Sequence, residues 1–233
     1  MITIAHRGSW RRHPPENGLA AIVEAGRQGF GVEIDVRRTR DDVLVLHHDG
    51  KMEQTHGLSL AIEESSSQQT EGLCTLRDAL QNAPPDTRCL FLHLKKMDLL
   101  DAAVSVITTA RKAERCVFFA DGDSSIPFFC KCLERHPNIH VALHIRSADE
   151  FRTTRALPIK IRWLDEADGG WITEEVVKGA QDDRSQVFVV SPECFDPRQT
   201  LSSLRSRWNT WKHWKVTGIC TDWPEELHST LSE

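Results

Sequence analysis

Val32-Glu33-Ile34-Asp35-Val36 is the stretch on which the reading of this chain turns. Two carboxylates alternate with three apolar residues. In a strand the side-chain period is two, so Glu33 and Asp35 point to one face and the apolar residues to the other. Two carboxylates held side by side repel, and the arrangement persists when a cation sits between them or when one carries a proton. Their hard oxygens suit Mg²⁺ or Ca²⁺. Upstream, Ile2-Thr3-Ile4-Ala5 is a second short apolar run, and it ends in His6-Arg7-Gly8. A metal pair, a histidine and an arginine brought to one place imply chemistry on a phosphate.

Outward from these two runs the chain alternates. Residues 2–5 and 29–36 read as strands, with a helix over 17–28 between them for which Asn17 is the expected cap. A further apolar run, 43–46, ends in His47-His48-Asp49. Residues 50–72 are polar and read as a loop with at most one short helix. A helix over 75–82 starts from a Thr75 cap. Strands then follow at 89–94, 116–120, 139–145, 159–163, 187–190 and 218–220. Helices follow at 99–112, 126–135, 148–155, 173–181, 200–211 and 225–231. Regular alternation implies a parallel sheet, and eight strand–helix units imply a (β/α)8 TIM barrel. The expectation is one such domain over residues 1–233, with a short insertion after the second strand. Active sites of this fold lie at the C-terminal ends of the strands. The polar residues there are His6, Arg7, Glu33, Asp35, His93, Lys95, Asp121, Asp165, Ser191, Glu193 and Asp222. Phe91, His93 and Lys95 share one strand face by period two, and a buried His and Lys there call for an anion or partner.

Composition narrows the class. The 233 residues are 39% hydrophobic and 27% charged, as in ordinary globular domains. The formal net charge of -5 gives no nucleic-acid footprint. No run approaches the roughly 18 consecutive apolar residues of a membrane span. The seven cysteines are odd in number and show no CxxC spacing, so they read as reduced core residues. A cleavable leader would remove His6, and a cytoplasmic protein is expected. Trp208, Trp211 and Trp214 recur at spacing three and read as the packed face of one helix. The oligomeric state is not set by the sequence.

His6-Arg7-Gly8, Pro15-Glu16-Asn17, Glu33-Ile34-Asp35 and His48-Asp49, in that order, resemble the HRG, PEN, ExD and HD motifs of the glycerophosphodiester phosphodiesterase family. Gly218-Ile219-Cys220-Thr221-Asp222-Trp223-Pro224 is similar to that family's closing signature. The resemblance implies a barrel hydrolase of lipid metabolism that acts on a small phosphodiester with one divalent cation. By resemblance, Glu33 and Asp35 are metal ligands and His6 and His48 the acid–base pair. Arg7 and Lys95 hold the phosphate, and Glu16 supports them. Mg²⁺ or Ca²⁺ is the expected ion.

Two departures stand out. The family's third carboxylate ligand, two residues before the lysine, is here His93, an imidazole that moves the preference toward Mn²⁺ or Zn²⁺. The segment after His48-Asp49 is also shorter than the family's insertion, which implies a more open pocket. Glu193 and Asp165 are candidates for the missing carboxylate by strand-end position. Besides hydrolysis, the sequence allows a weakened barrel that only binds a phosphodiester, or a cyclising, lyase-like reaction.

Overall fold

A computed structural model of the chain describes residues 1–53, 57–121, 125–166 and 170–232. In chain order its elements are β1 (Ile2–His6), α1 (Leu19–Arg27), β2 (Gly31–Arg38), β3 (Leu44–Leu46), α2 (Leu76–Asn82), β4 (Leu90–Leu94), α3 (Leu100–Thr109), β5 (Cys116–Ala120) and α4 (Ser125–Arg135). They continue with β6 (His140–Ile145), α5 (Ala148–Thr154), β7 (Ile161–Asp165), α6 (Glu174–Asp182), β8 (Gln186–Val190), α7 (Leu201–His213), β9 (Gly218–Thr221) and α8 (Pro224–Ser232). Eight strands alternate with helices as the (β/α)8 class requires, and β3 is the addition.

The chain divides into two compact units, residues 7–140 and residues 1–6 with 141–233. In the first, β2, β4 and β5 pair in parallel, with Asp35 beside His93 and His93 beside Phe119. β2 is buried from Gly31 to Val36 on both faces, as expected of a parallel strand covered by helices. β3 returns antiparallel along β2, placing Leu46 opposite Val36. In the second unit β1, β9, β8, β7 and β6 are successive parallel neighbours.

The insertion after β2 is more than a loop. Val45, Met52 and Ile62 are buried together, with Val43, Leu60 and Leu73 against them. An isolated bridge joins Lys51 to Ala61, and a single 3-10 turn spans Ile62–Glu64. Thr75, Thr173 and Thr200 cap their helices by accepting from the N–H of Asp78, Val176 and Ser203.

Asn17 departs from expectation. α1 begins at Leu19 with Gly18 as its cap, and no side chain caps it. The Asn17 amide is engaged by β2 instead. Two of the three stripe tryptophans pack inward as read: Trp208 and Trp211 are fully buried, and the Trp208 indole N–H donates to Ser191 Oγ at 2.8 Å, whereas Trp214 falls just past α7 as its C-cap and is half-buried. None of the seven cysteines is in a disulfide. Among the described residues no helix is long and apolar enough to cross a membrane.

Candidate functional site

In the unit of residues 7–140, the β2 face bearing Glu33, Asp35 and Arg37 is flanked in register by the β4 face bearing Phe91, His93 and Lys95. Glu33 and Asp35 are 2% and 1% exposed, so neither carboxylate is stabilised by bulk water. Asp35 is compensated from four sides. Lys95 Nζ lies 2.6 Å from Oδ1, and His93 Nδ1 lies 3.2 Å from the same oxygen. Asn17 Nδ2 donates to Oδ2 at 2.9 Å, and Arg7 Nε lies 3.3 Å from it. Burial alone would raise the Asp35 pKa. Lys95, His93 and Arg7 outweigh it and hold this carboxyl well below its ordinary value.

Lys95 Nζ also lies 3.0 Å from His93 Nδ1, while His93 Nε2 faces Asp121 Oδ1 at 3.3 Å. With its proton on Nδ1 the ring donates to Asp35, in keeping with its part in lowering that carboxyl's pKa. The ring stacks on Phe119, centroids 4.4 Å apart, which fixes its plane.

Arg7 and Gly8 both have left-handed backbones, φ 57° and 83°. At Gly8 a Cβ would also sit 2.8 Å from the Ala21 carbonyl carbon, so this turn requires glycine. The turn brings Asn17 N–H onto the Arg7 carbonyl at 2.9 Å. Arg7 Nη1 reaches both Glu16 oxygens, at 2.9 and 2.8 Å. Burial opposes the guanidinium charge, yet Asp35, Glu16 and Glu33 prevail and raise its pKa. Arg7, Glu16, Glu33, Asp35, His93 and Lys95 thus form one charged network within this unit.

His48 sits just past β3. Its Nδ1 pairs with Asp49 Oδ1 at 2.8 Å, which leaves Nε2 to handle a proton. Burial, offset in part by Asp35 and reinforced by the Arg7 and Lys95 cations, lowers its pKa below 6.5. Its backbone carbonyl accepts from Arg37 Nε at 3.1 Å and Nη2 at 2.7 Å. Sequence reading missed Arg37. The available signal was the period-two stripe Glu33, Asp35, Arg37. His47 is structural as read: it is buried, its Nδ1 meets the Asp49 carbonyl at 2.8 Å, and its N–H donates to the Asp35 carbonyl.

His6 ends β1 in the unit of residues 1–6 and 141–233. There its Nδ1 lies 2.9 Å from Asp222 Oδ1. Glu193 Oε1 accepts from the Thr221 hydroxyl and from the Asp222 N–H. It is thereby committed to the β9 terminus, and burial raises its pKa. Asp165 faces His144 Nε2 at 3.3 Å.

Glu33, Asp35 and His93 each offer one ligand atom, and the three atoms lie within 4.8 Å of one another. Two buried carboxylates and an imidazole nitrogen beside them fit one divalent cation, which would take the place of the proton on that nitrogen. The nitrogen donor moves the set from purely oxygen-loving ions toward Mn²⁺ or Zn²⁺.

Residues 6–146 match the model of the glycerophosphoryl diester phosphodiesterase family. A probable glycerophosphodiester phosphodiesterase 2 of Mycobacterium tuberculosis is 34% identical over 124 residues, covering 49% of this chain and 44% of the relative. Human glycerophosphodiester phosphodiesterase 1 is 47% identical over 56 residues, covering 24% and 17%. The chain thus spans less than half the length of the curated relatives it matches. A crystal structure of a putative glycerophosphodiester phosphodiesterase from Galdieria sulphuraria superposes over 100% of this chain and 98% of its own, with TM-score 0.81 at 17% identity. An Oleispira antarctica phosphodiesterase in complex with the product sn-glycerol-3-phosphate covers 100% and 97%, with TM-score 0.77 at 18% identity. These likenesses show the (β/α)8 barrel fold.

Proposed function

This chain belongs to the glycerophosphoryl diester phosphodiesterase family, and from that premise we propose that it hydrolyses a glycerophosphodiester or a related small phosphodiester with one divalent cation. The observation that carries the reading is the pairing, on one buried face, of two carboxylates with the Arg7 and Lys95 cations. Glu33, Asp35 and His93 would hold the cation, which when bound adds positive charge for the phosphate oxygens.

The remaining roles fall to this chain's own side chains. A phosphodiester is anionic and repels a nucleophile, and its transition state gathers further charge on the equatorial oxygens and the departing alkoxide. Arg7, held by Glu16, and Lys95 neutralise the equatorial oxygens. His48 is the base. Its lowered pKa keeps it neutral near pH 7, and Asp49 on Nδ1 directs Nε2 to the attacking water. His6 is the acid, and the Asp222 carboxylate at 2.9 Å stabilises its imidazolium form before the proton passes to the leaving oxygen. The product would be a phosphomonoester of the class seen in the Oleispira antarctica complex. The seven disulfide-free cysteines support a reducing compartment, and we infer the cytoplasm.

The test is a panel of glycerophosphodiesters assayed with Mg²⁺, Ca²⁺, Mn²⁺ and Zn²⁺, on the wild type, His6→Ala and His48→Ala. Each variant should keep its melting profile and lose about 10²–10⁴-fold in turnover. Phosphorus NMR should show a monoester. A cyclic phosphate as sole product would replace water by a substrate hydroxyl, and full activity in both variants would remove the histidine roles.

A further inference from the structure

The end of β1, the end of β9 and the turn after β8 carry a second group of ligand-type side chains. His6, Cys194 and Asp222 each offer one ligand atom, and these atoms lie within 4.8 Å of one another. All three belong to the unit of residues 1–6 and 141–233. We infer that they form a site for a thiophilic divalent cation, of the Zn²⁺ or Cd²⁺ kind, that shares no residue with Glu33, Asp35 and His93.

The donor set selects the ion. One thiolate, one imidazole and one carboxylate are a borderline-soft combination, which Mg²⁺ and Ca²⁺ do not favour and Zn²⁺ does. Three protein ligands leave a fourth tetrahedral position to water. The spacing is nearly that of a ligand pair already. His6 Nδ1 and Asp222 Oδ1 are 2.9 Å apart across a shared proton. Two atoms each about 2.0–2.1 Å from a tetrahedral metal stand about 3.3 Å apart, so exchanging proton for metal moves them by only a few tenths of an ångström.

The frame behind the ligands is fixed. Ser191 N–H donates to the Cys220 carbonyl at 2.8 Å, and Cys194 N–H donates to the Ser191 carbonyl at 3.1 Å. Glu193 Oε1 holds Thr221 and Asp222 from behind. Ser191 itself is held by the buried Trp208 indole. The turn bearing Cys194 is therefore tied to the strand end bearing Asp222, the kind of support that gives a metal site its geometry. Cys194 is half-buried, so an ion can reach it. On binding, the Cys194 S–H bond breaks and its proton goes to solvent as the metal–sulfur bond forms, while the proton between His6 Nδ1 and Asp222 is taken up at His6 Nε2, so affinity rises with pH.

Occupation would hold His6 on the metal and stop its proton transfer. That consequence rests on the role given to His6 above, whereas the site itself does not. The experiment titrates the whole chain with Cd²⁺ and follows the ultraviolet sulfur-to-cadmium charge-transfer band. It is run on the wild type, Cys194→Ser and Asp222→Asn. One equivalent of band should appear in the wild type and vanish in Cys194→Ser. In Asp222→Asn the affinity should fall about 10–100-fold. In parallel, Cd²⁺ should inhibit wild-type turnover at the same concentrations while Cys194→Ser keeps its basal rate and resists. A wild type without the band, a band that persists in Cys194→Ser, or equal affinity in Asp222→Asn overturns the site. A band that behaves as expected while turnover is untouched leaves the site standing and overturns the assignment of His6.

Discussion

Asn17 is the residue whose removal tests the architecture of the charged network most directly. Its Nδ2 donates to Asp35 Oδ2 at 2.9 Å, and its Oδ1 accepts from the Asp35 backbone N–H at 3.0 Å. Both residues are 1% exposed, so neither bond has water in reserve. Deleting the amide orphans a buried N–H at about 1–3 kcal/mol and removes a hydrogen bond to a charged group at about 1.5–3 kcal/mol. Partial relaxation brings the expected loss to about 3 kcal/mol. For a chain of this size that lowers the melting temperature by about 6–12 °C. Asn17→Gly isolates this term, because glycine accepts the φ of 58° without strain. Asn17→Ala should melt lower again, because a left-handed alanine costs about 1–2 kcal/mol, offset in part by the unfolded-state entropy of glycine. Asn17→Asp places a second carboxylate against Asp35, so the pair shares a raised pKa in the folded state. Its stability is then greatest below the unfolded carboxyl pKa of about 4 and falls as pH rises through the raised value. Calorimetric melts of the three variants at about pH 5 and 8 measure all of this. An Asn17→Gly melt within about 2 °C of wild type would refute the clamp.

Further outcomes follow from single contacts. Asp49 holds the His48 Nδ1 and raises its pKa. Asp49→Asn should therefore move the acid limb of the kcat/KM profile to lower pH, and an upward move would contradict the pairing. Glu16 steadies Arg7 through two contacts, so Glu16→Gln should raise KM about two- to fivefold with kcat nearly unchanged in steady-state kinetics. Trp208→Phe removes the indole donor from the fully buried Ser191 hydroxyl, which keeps its hydrogen bond to Glu193, and should lower the melting temperature by about 1–6 °C, read by circular dichroism.

The fold was legible because its signals are local. Each strand is a short apolar run, and each of Thr75, Thr173 and Thr200 announces its helix by a hydroxyl that only a helix start satisfies. The insertion was harder. Val45, Met52 and Ile62 stand 7 and 10 residues apart in the sequence, with no period, and only the return of β3 along β2 gathers them. Asn17 shows where a local rule fails. An asparagine two residues before a helix fits a cap by propensity, but Gly18 already starts α1. The buried Asp35, 18 residues later, offers the amide a charged acceptor and a backbone donor together. Two bonds in a dry site outweigh one at a helix end facing water.

The charged network divides in the same way. Period two placed Glu33 with Asp35, and Phe91 with His93 and Lys95, on shared faces before any coordinates. It could not give the strand register that sets Asp35 beside His93, because register depends on which strands become neighbours. Register also decides what His93 means. One position along, its imidazole would share a face with Ile34 or Val36 and meet neither carboxylate. In the observed register Lys95 and Asp35 lie on its Nδ1 side and Asp121 on its Nε2 side, with Phe119 beneath the ring. A histidine in place of a carboxylate is therefore not simply one charge fewer. Its Nδ1 lies against Asp35, where it adds a nitrogen donor to two carboxylates. The cations Lys95 and Arg7 already offset those two anions, so the set favours an ion that gains from nitrogen donation over one that relies on carboxylate charge.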